Sequence, residues 1–137
     1  MGSILSIDYG LKRIGFAVSD PSQHFAFPFD VIENKSYESV SSFIKKTITE
    51  KEIDLIVIGL PLNMDGSSGE MVKKVQDLVN KLKKEISIPI ETVDERLSSF
   101  AAAENLKESF ISSKKSKKFL DMEAARLILE EYIQKFA

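Results

Sequence analysis

Acidic residues at three places in this chain stand where a carboxylate needs a physical reason. Asp8 closes the apolar run Ile4, Leu5, Ile7 and is followed by Tyr9 and Gly10, where the backbone can turn. Asp94 and Glu95 close a second run, Ile88 to Val93, and Asp121 stands one helical turn before Ala124 and Ala125. A carboxylate in a buried strand is penalised by desolvation unless a cation or hydrogen bonds compensate. Acids drawn from two strands and a helix to one sheet edge repel one another unless cations bridge them. Two divalent ions about 4 Å apart at such a cluster activate a water and stabilise the leaving oxygen of a phosphodiester. Each acid also has a plainer reading. Asp8 can cap the turn after it, Asp94-Glu95-Arg96 can be a solvated salt-bridge cluster, and Asp121 in the first turn or two of a helix complements the macrodipole. Neighbouring strand residues face opposite ways, so only one of Asp94 and Glu95 can aim at a shared ion without a bend.

The rest of the composition narrows the ion. There is no cysteine and His24 is the one histidine, which excludes disulfides, thiolate chemistry and an ordinary zinc site. Any metal is therefore a hard, oxygen-preferring cation, Mg²⁺ or Mn²⁺, as one or two ions. The formal charge of −2 carries no global signature of a nucleic-acid binder, so positive charge has to be local. Lys12 and Arg13 follow Asp8 closely. Lys114, Lys115, Lys117 and Lys118 precede Asp121 in a lysine-rich loop that can clamp a phosphate backbone without reading sequence. Asn63, in the turn-rich segment Gly59 to Gly66, and Arg96 are further phosphate-binding candidates. Lys73, Lys74, Lys81, Lys83 and Lys84 read as the solvent face of a helix, and His24 as a surface loop residue. Phe25, Phe27 and Phe29 alternate like the core face of a strand.

The elements that must position these groups follow from apolar periodicity. Ile4–Asp8, Ile14–Ser19 and Phe25–Ile32 read as three strands joined by short turns, an antiparallel meander. Tyr37, Val40, Phe43, Ile44 and Ile48 recur at helical spacing up to about Glu50. Leu55–Leu60 is a bare aliphatic run, as in a strand buried on both faces. A helix with Met71, Val72, Val75, Leu78, Val79 and Leu82 on one side follows, then the strand Ile88–Val93, a helix over roughly Ser99–Glu108, and a last helix from about Phe119. This order implies an α/β fold: one mixed five-stranded sheet, three antiparallel strands and then parallel ones, with helices on both faces. The 137 residues read as one domain, 1–137, without linker or repeat. No apolar run approaches the ~18 residues of a membrane span, and the opening residues lack the pattern of a signal peptide. A cytoplasmic protein, monomer or homodimer, is the expectation.

With these segments laid out, the chain resembles the YqgF/RuvX family, described as pre-16S rRNA nucleases and earlier as Holliday junction resolvases. Ile7-Asp8-Tyr9-Gly10 with Lys12-Arg13-Ile14-Gly15 resembles its opening motif, and Gly59-Leu60-Pro61-Leu62-Asn63-Met64-Asp65-Gly66 its central one. Asp94-Glu95-Arg96-Leu97-Ser98 resembles the third, and Lys117 to Ala125 the closing Asp-x-x-Ala-Ala segment. The resemblance implies an RNase H-like fold and endonucleolytic cleavage leaving a 5′-phosphate. Carried over residue by residue, it puts the catalytic, metal-binding triad on Asp8, Glu95 and Asp121, with Asp94 a rival to Glu95. RuvC resolvases take their middle acid from the fourth strand, which here ends in Gly59-Leu60-Pro61 without one; where many relatives have Asp-Ser or Asp-Asp, this chain has Asp121-Met122. The implied partner is nucleic acid, pre-rRNA by preference, with branched DNA the alternative substrate. Two other classes are compatible with parts of the pattern: an ATP-dependent phosphotransferase, whose fold needs a second domain that these residues do not supply, and a non-catalytic nucleic-acid-binding module. If the lysine cluster is a phosphate clamp, changing Lys114, Lys115, Lys117 and Lys118 to Gln weakens binding equally across unrelated sequences and flattens its salt dependence. Titrating labelled oligonucleotides of differing sequence at several salt concentrations measures both; a sequence-selective loss contradicts the clamp.

Overall fold

Strand β1 (Ser3–Asp8) is buried along nearly its whole length because both of its faces are covered. Leu5 and Ile7 enter one apolar cluster and Ile4 enters another, the period-two alternation of a strand between two helical layers. In the computed structural model, which describes residues 2–60, 69–94 and 114–136, the chain continues through β2 (Arg13–Ser19), β3 (Ala26–Glu33), α1 (Tyr37–Lys51), β4 (Ile53–Leu60), α2 (Glu70–Glu85), β5 (Ile90–Asp94) and α3 (Lys114–Phe136). Among the described residues the sheet has five strands in the order β3-β2-β1-β4-β5. β1 pairs antiparallel with β2 and β2 with β3, whereas β1, β4 and β5 run parallel. This is the expected mixed sheet, with β1 at its centre.

Each helix is placed by its apolar stripe. Ser36 caps α1, its side chain accepting a hydrogen bond from the Ser39 N–H, and the helix closes at Glu52 in the left-handed region with φ 52°. Val40 and Ile44 of α1 join Val75, Leu78, Val79 and Leu82 of α2 against Leu5, Ile7, Ile14, Phe16, Ile56 and Ile58. On the opposite face α3 lays Ala125, Ile128 and Leu129 against Ile4, Ala17 and Val57. No helix among the described residues is long and apolar enough to cross a membrane.

Three expectations change. The run Lys114 to Lys118 is not a loop: α3 begins at Lys114, since lysine is a good helix former and nothing in the run breaks a helix. Asp121 accordingly sits about two turns inside α3, where the macrodipole of the helix start no longer accounts for it. Phe25 and Phe27 are 66% and 50% exposed, and only Phe29 reaches the first core, with its ring 6.1 Å from that of Phe43. Phe25 lies before β3, and within this edge strand the pairing shifts at a bulge, Phe16 with Asp30 but Ala17 with Pro28, so the simple alternation through positions 25, 27 and 29 breaks. The helix expected over Ser99–Glu108 lies outside the described residues.

Candidate active site

The geometry at the sheet's carboxyl edge is set by how closely α3 approaches β1 and β2. Ser6, fully buried on the α3 side of β1, donates from Oγ to the Ala125 carbonyl at 2.6 Å. Two residues further along a strand is an advance of about 7 Å, and one turn back along a helix is about 6 Å, so the steps match. Asp8 therefore stands to Asp121 as Ser6 stands to Ala125. Gly15 lies between them. It pairs with Asp8 across the β1–β2 ladder, and a Cβ on it would overlap the Asp121 backbone carbonyl. The helix touches the strand backbone at that point, which only glycine permits.

Asp121 is nearly buried, with 8% of its surface exposed. Arg13 meets it: Nε donates to Oδ2 at 2.6 Å, a charge-assisted bond between groups 108 positions apart. Arg13, Gly15 and Ala17 alternate onto the α3 side of β2, so the guanidinium that sequence reasoning assigns to phosphate is engaged with an acid of the site. The turn after Asp8 is held by Asn34, whose Nδ2 donates to the Gly10 carbonyl and whose backbone N–H donates to that of Lys12, both at 2.9 Å. Lys12 is exposed on this turn, and Asp8 is half-buried at the end of β1.

The parallel strands bring Asp94 to the same edge. Ile7 pairs with Ile58, Gly59 with Val93 and Leu60 with Asp94, so β1, β4 and β5 end side by side. Asp94 closes β5; Asn63, Glu95 and Arg96 lie outside the described residues. Lys114, Lys115, Lys117 and Lys118 occupy the part of α3 that leads into Asp121, and Lys118 is exposed. Among the described residues no three acids or histidines form a group able to hold a metal, and Asp8 and Asp121 are the two candidate donors brought together. The contributions of Ser6 and Gly15 were not anticipated. Glycine inside the strand Ile14-Gly15-Phe16 was the available signal, since it marks a close backbone approach.

Solved structures with this arrangement of elements include T. thermophilus RuvC in complex with a Holliday junction substrate, at TM-score 0.62 and 10% identity, covering 97% of this chain and 94% of that one. The fowlpox virus resolvase in its Holliday junction DNA complex follows at TM-score 0.53 and 10% identity, covering 97% and 99%. The fold is thus that of the RuvC-type, RNase H-like resolvases. The family described as RuvX, Holliday junction resolvase, matches residues 2–135, and this chain belongs to it. A protein of Maridesulfovibrio salexigens, provisionally named pre-16S rRNA nuclease, is 43% identical over 130 residues, covering 95% of this chain and 96% of that protein. One of the same name from Natranaerobius thermophilus is 40% identical over 132 residues, covering 96% and 94%.

The packing at Gly15 yields a direct test. Gly15→Ala forces a methyl into the Asp121 carbonyl and lowers stability by about 1–3 kcal/mol, the usual range for overpacking. Urea unfolding should show a lower midpoint at unchanged slope. A variant as stable as the wild type would mean that α3 does not rest on β2 here.

Proposed function

We propose that this chain is a metal-dependent endonuclease that hydrolyses phosphodiester bonds in the 5′-end maturation of pre-16S rRNA, in the cytoplasm. The observation that carries the reading is the placement of Asp8 beside Asp121 across Gly15, at the edge where β4 and β5 also end. The names of the relatives support the activity and the substrate. Branched DNA is the second reading, favoured by the description of the family.

Asp8, Asp121 and Glu95 are the acids we assign to the metal, with Asp94 as the rival for the third place. Glu91 accepts from the Tyr132 hydroxyl of α3, and Val93 packs on the α3 cluster, so β5 is tied to the helix that carries Asp121. The donor set fits Mg²⁺ or Mn²⁺, which bind through one or two carboxylates and complete their shells with water and substrate phosphate. When bound, the ion lowers the pKa of a water and offsets the charge on the leaving oxygen. Arg13 offsets the charge of Asp121 and so reduces the repulsion between two facing acids. Lys12 and Lys118 present their charges to solvent near this edge, where they neutralise backbone phosphates.

The test is cleavage of a 5′-extended ribosomal RNA precursor, beside a four-way DNA junction, with Mn²⁺ or Mg²⁺. Asp8→Asn should stay folded and lose cutting by more than about a hundredfold, since even outer-shell partners of a metal are worth roughly 10–100-fold. Cutting of the RNA by wild type alone establishes both activity and substrate. Equal cutting by the variant contradicts the assignment of Asp8.

A further inference from the structure

Asp8 has a neighbour that the cleavage chemistry does not use. Tyr9 packs against the α1/α2 cluster, on the opposite side of the sheet from α3, and lines a cavity of about 180 Å³ there. Asn34 and Tyr37 form one wall, and Lys74, Asp77 and Lys81 of α2 form the other over an apolar floor that includes Val40 and Leu78. Positions 74, 77 and 81 share one face of α2. Lys74 and Lys81 are exposed, as expected of the solvent face of α2, and both also line this concavity, which Tyr9 places one residue from Asp8.

The chemistry of this cavity is specific. The Lys81 ammonium lies 5.1 Å from the centre of the Tyr37 ring, a cation–π contact that leaves its N–H donors available. Lys74, Asp77 and Lys81 are exposed, and none of them enters an ion pair among the described residues. The two lysines are about 10 Å apart along α2, too far to share one phosphate. Asp77 between them repels a phosphate and accepts a hydrogen bond from a hydroxyl or amino group. The Tyr37 hydroxyl donates to Glu85, which also holds Lys45 at 2.5 Å, so the ring is fixed in place. Burial and Glu85 push that phenol up to about 12. Asn34 ties the cavity wall to the turn that follows Asp8.

We propose that the cavity bounded by Tyr9, Asn34, Tyr37, Lys74, Asp77 and Lys81 is a second subsite of the nuclease, holding a nucleotide of a single-stranded RNA flank beside the cleaved bond. The inference rests on the nuclease reading and extends it. Lys74 and Lys81 pair with two phosphates of the strand, Lys81 swinging off the Tyr37 ring to do so, and the uncovered ring takes a base without regard to sequence. Asp77 accepts from the ribose 2′-hydroxyl, the group that distinguishes RNA from DNA.

The experiment measures binding of a fluorescein-labelled single-stranded RNA, and of DNA of the same sequence, to the full chain in EDTA, so that no turnover intervenes. Lys74→Gln with Lys81→Gln is compared with Lys73→Gln and Lys84→Gln, which removes the same charge from exposed positions outside the cavity. The first pair should weaken RNA binding about tenfold and lower the salt slope by about 1.4, while the second stays within about twofold of wild type. Asp77→Asn should narrow the preference for RNA over DNA. If both pairs weaken binding alike, or neither does, while wild type binds and cleaves, the subsite is overturned and the nuclease stands. If wild type neither binds nor cleaves RNA, both readings fall.

Discussion

Helix α3 lies against the sheet through residues with little or no side chain, and the position of the acids depends on that closeness. Ser6, Gly15 and Ala17 on the strands and Ala124 and Ala125 on the helix are all buried, and the Asp121 backbone lies directly against Gly15. The Ser6 hydroxyl on the Ala125 carbonyl sets the register. Once that register is set, the equal advance of strand and helix carries Asp121 to Asp8. Ile128 and Leu129, further along α3, bury apolar side chains worth about 1.5–3 kcal/mol each, and this keeps the helix seated.

The electrostatics of the edge follow from the same packing. A nearly buried Asp121 is tolerable because Arg13 meets it from the neighbouring strand. Under the proposed function, a divalent ion at Asp121 would share that carboxylate with the Arg13 guanidinium. The far half of α3 is braced separately. Within the helix Arg126 pairs with Glu123 and Glu130, which stiffens α3 itself, and those carboxylates push its pKa further up. Tyr132 donates to Glu91 on β5, with burial and that carboxylate raising its phenol to about 12. Because the folded value is raised, this contact is fully present below the ordinary tyrosine range and is lost only as pH approaches about 12. Near neutral pH the helix that carries Asp121 is thus fixed at both ends of its buried face.

Much of the fold was legible because local pattern and global packing agree. The bare run Leu55 to Leu60 announced a strand covered on both faces, and the helical spacing from Tyr37 announced α1. Where local pattern and global packing part, the reading failed. Phe25 and Phe27 alternate like core residues, but a bulge at Phe29 in an edge strand cannot be seen from one strand alone. The lysine run before Asp121 looked like a loop because it is polar, although lysine favours helix. At the site, the type of Asp8 and its place after an apolar run were enough to single it out. The pairing of Arg13 with Asp121 was not legible, since the two are 108 positions apart and only the folded sheet joins them.

The central claim is that Asp8 and Asp121 hold one divalent ion between them. Calorimetric titration of Mn²⁺ into wild type, Asp8→Asn, Asp121→Asn and the double variant tests it most directly. Two ligands of one ion act as a unit, so each single change should weaken binding by about tenfold or more, and the double change should cost little beyond the worse of the two. Losses that simply add, or an affinity that neither single change alters, would contradict it.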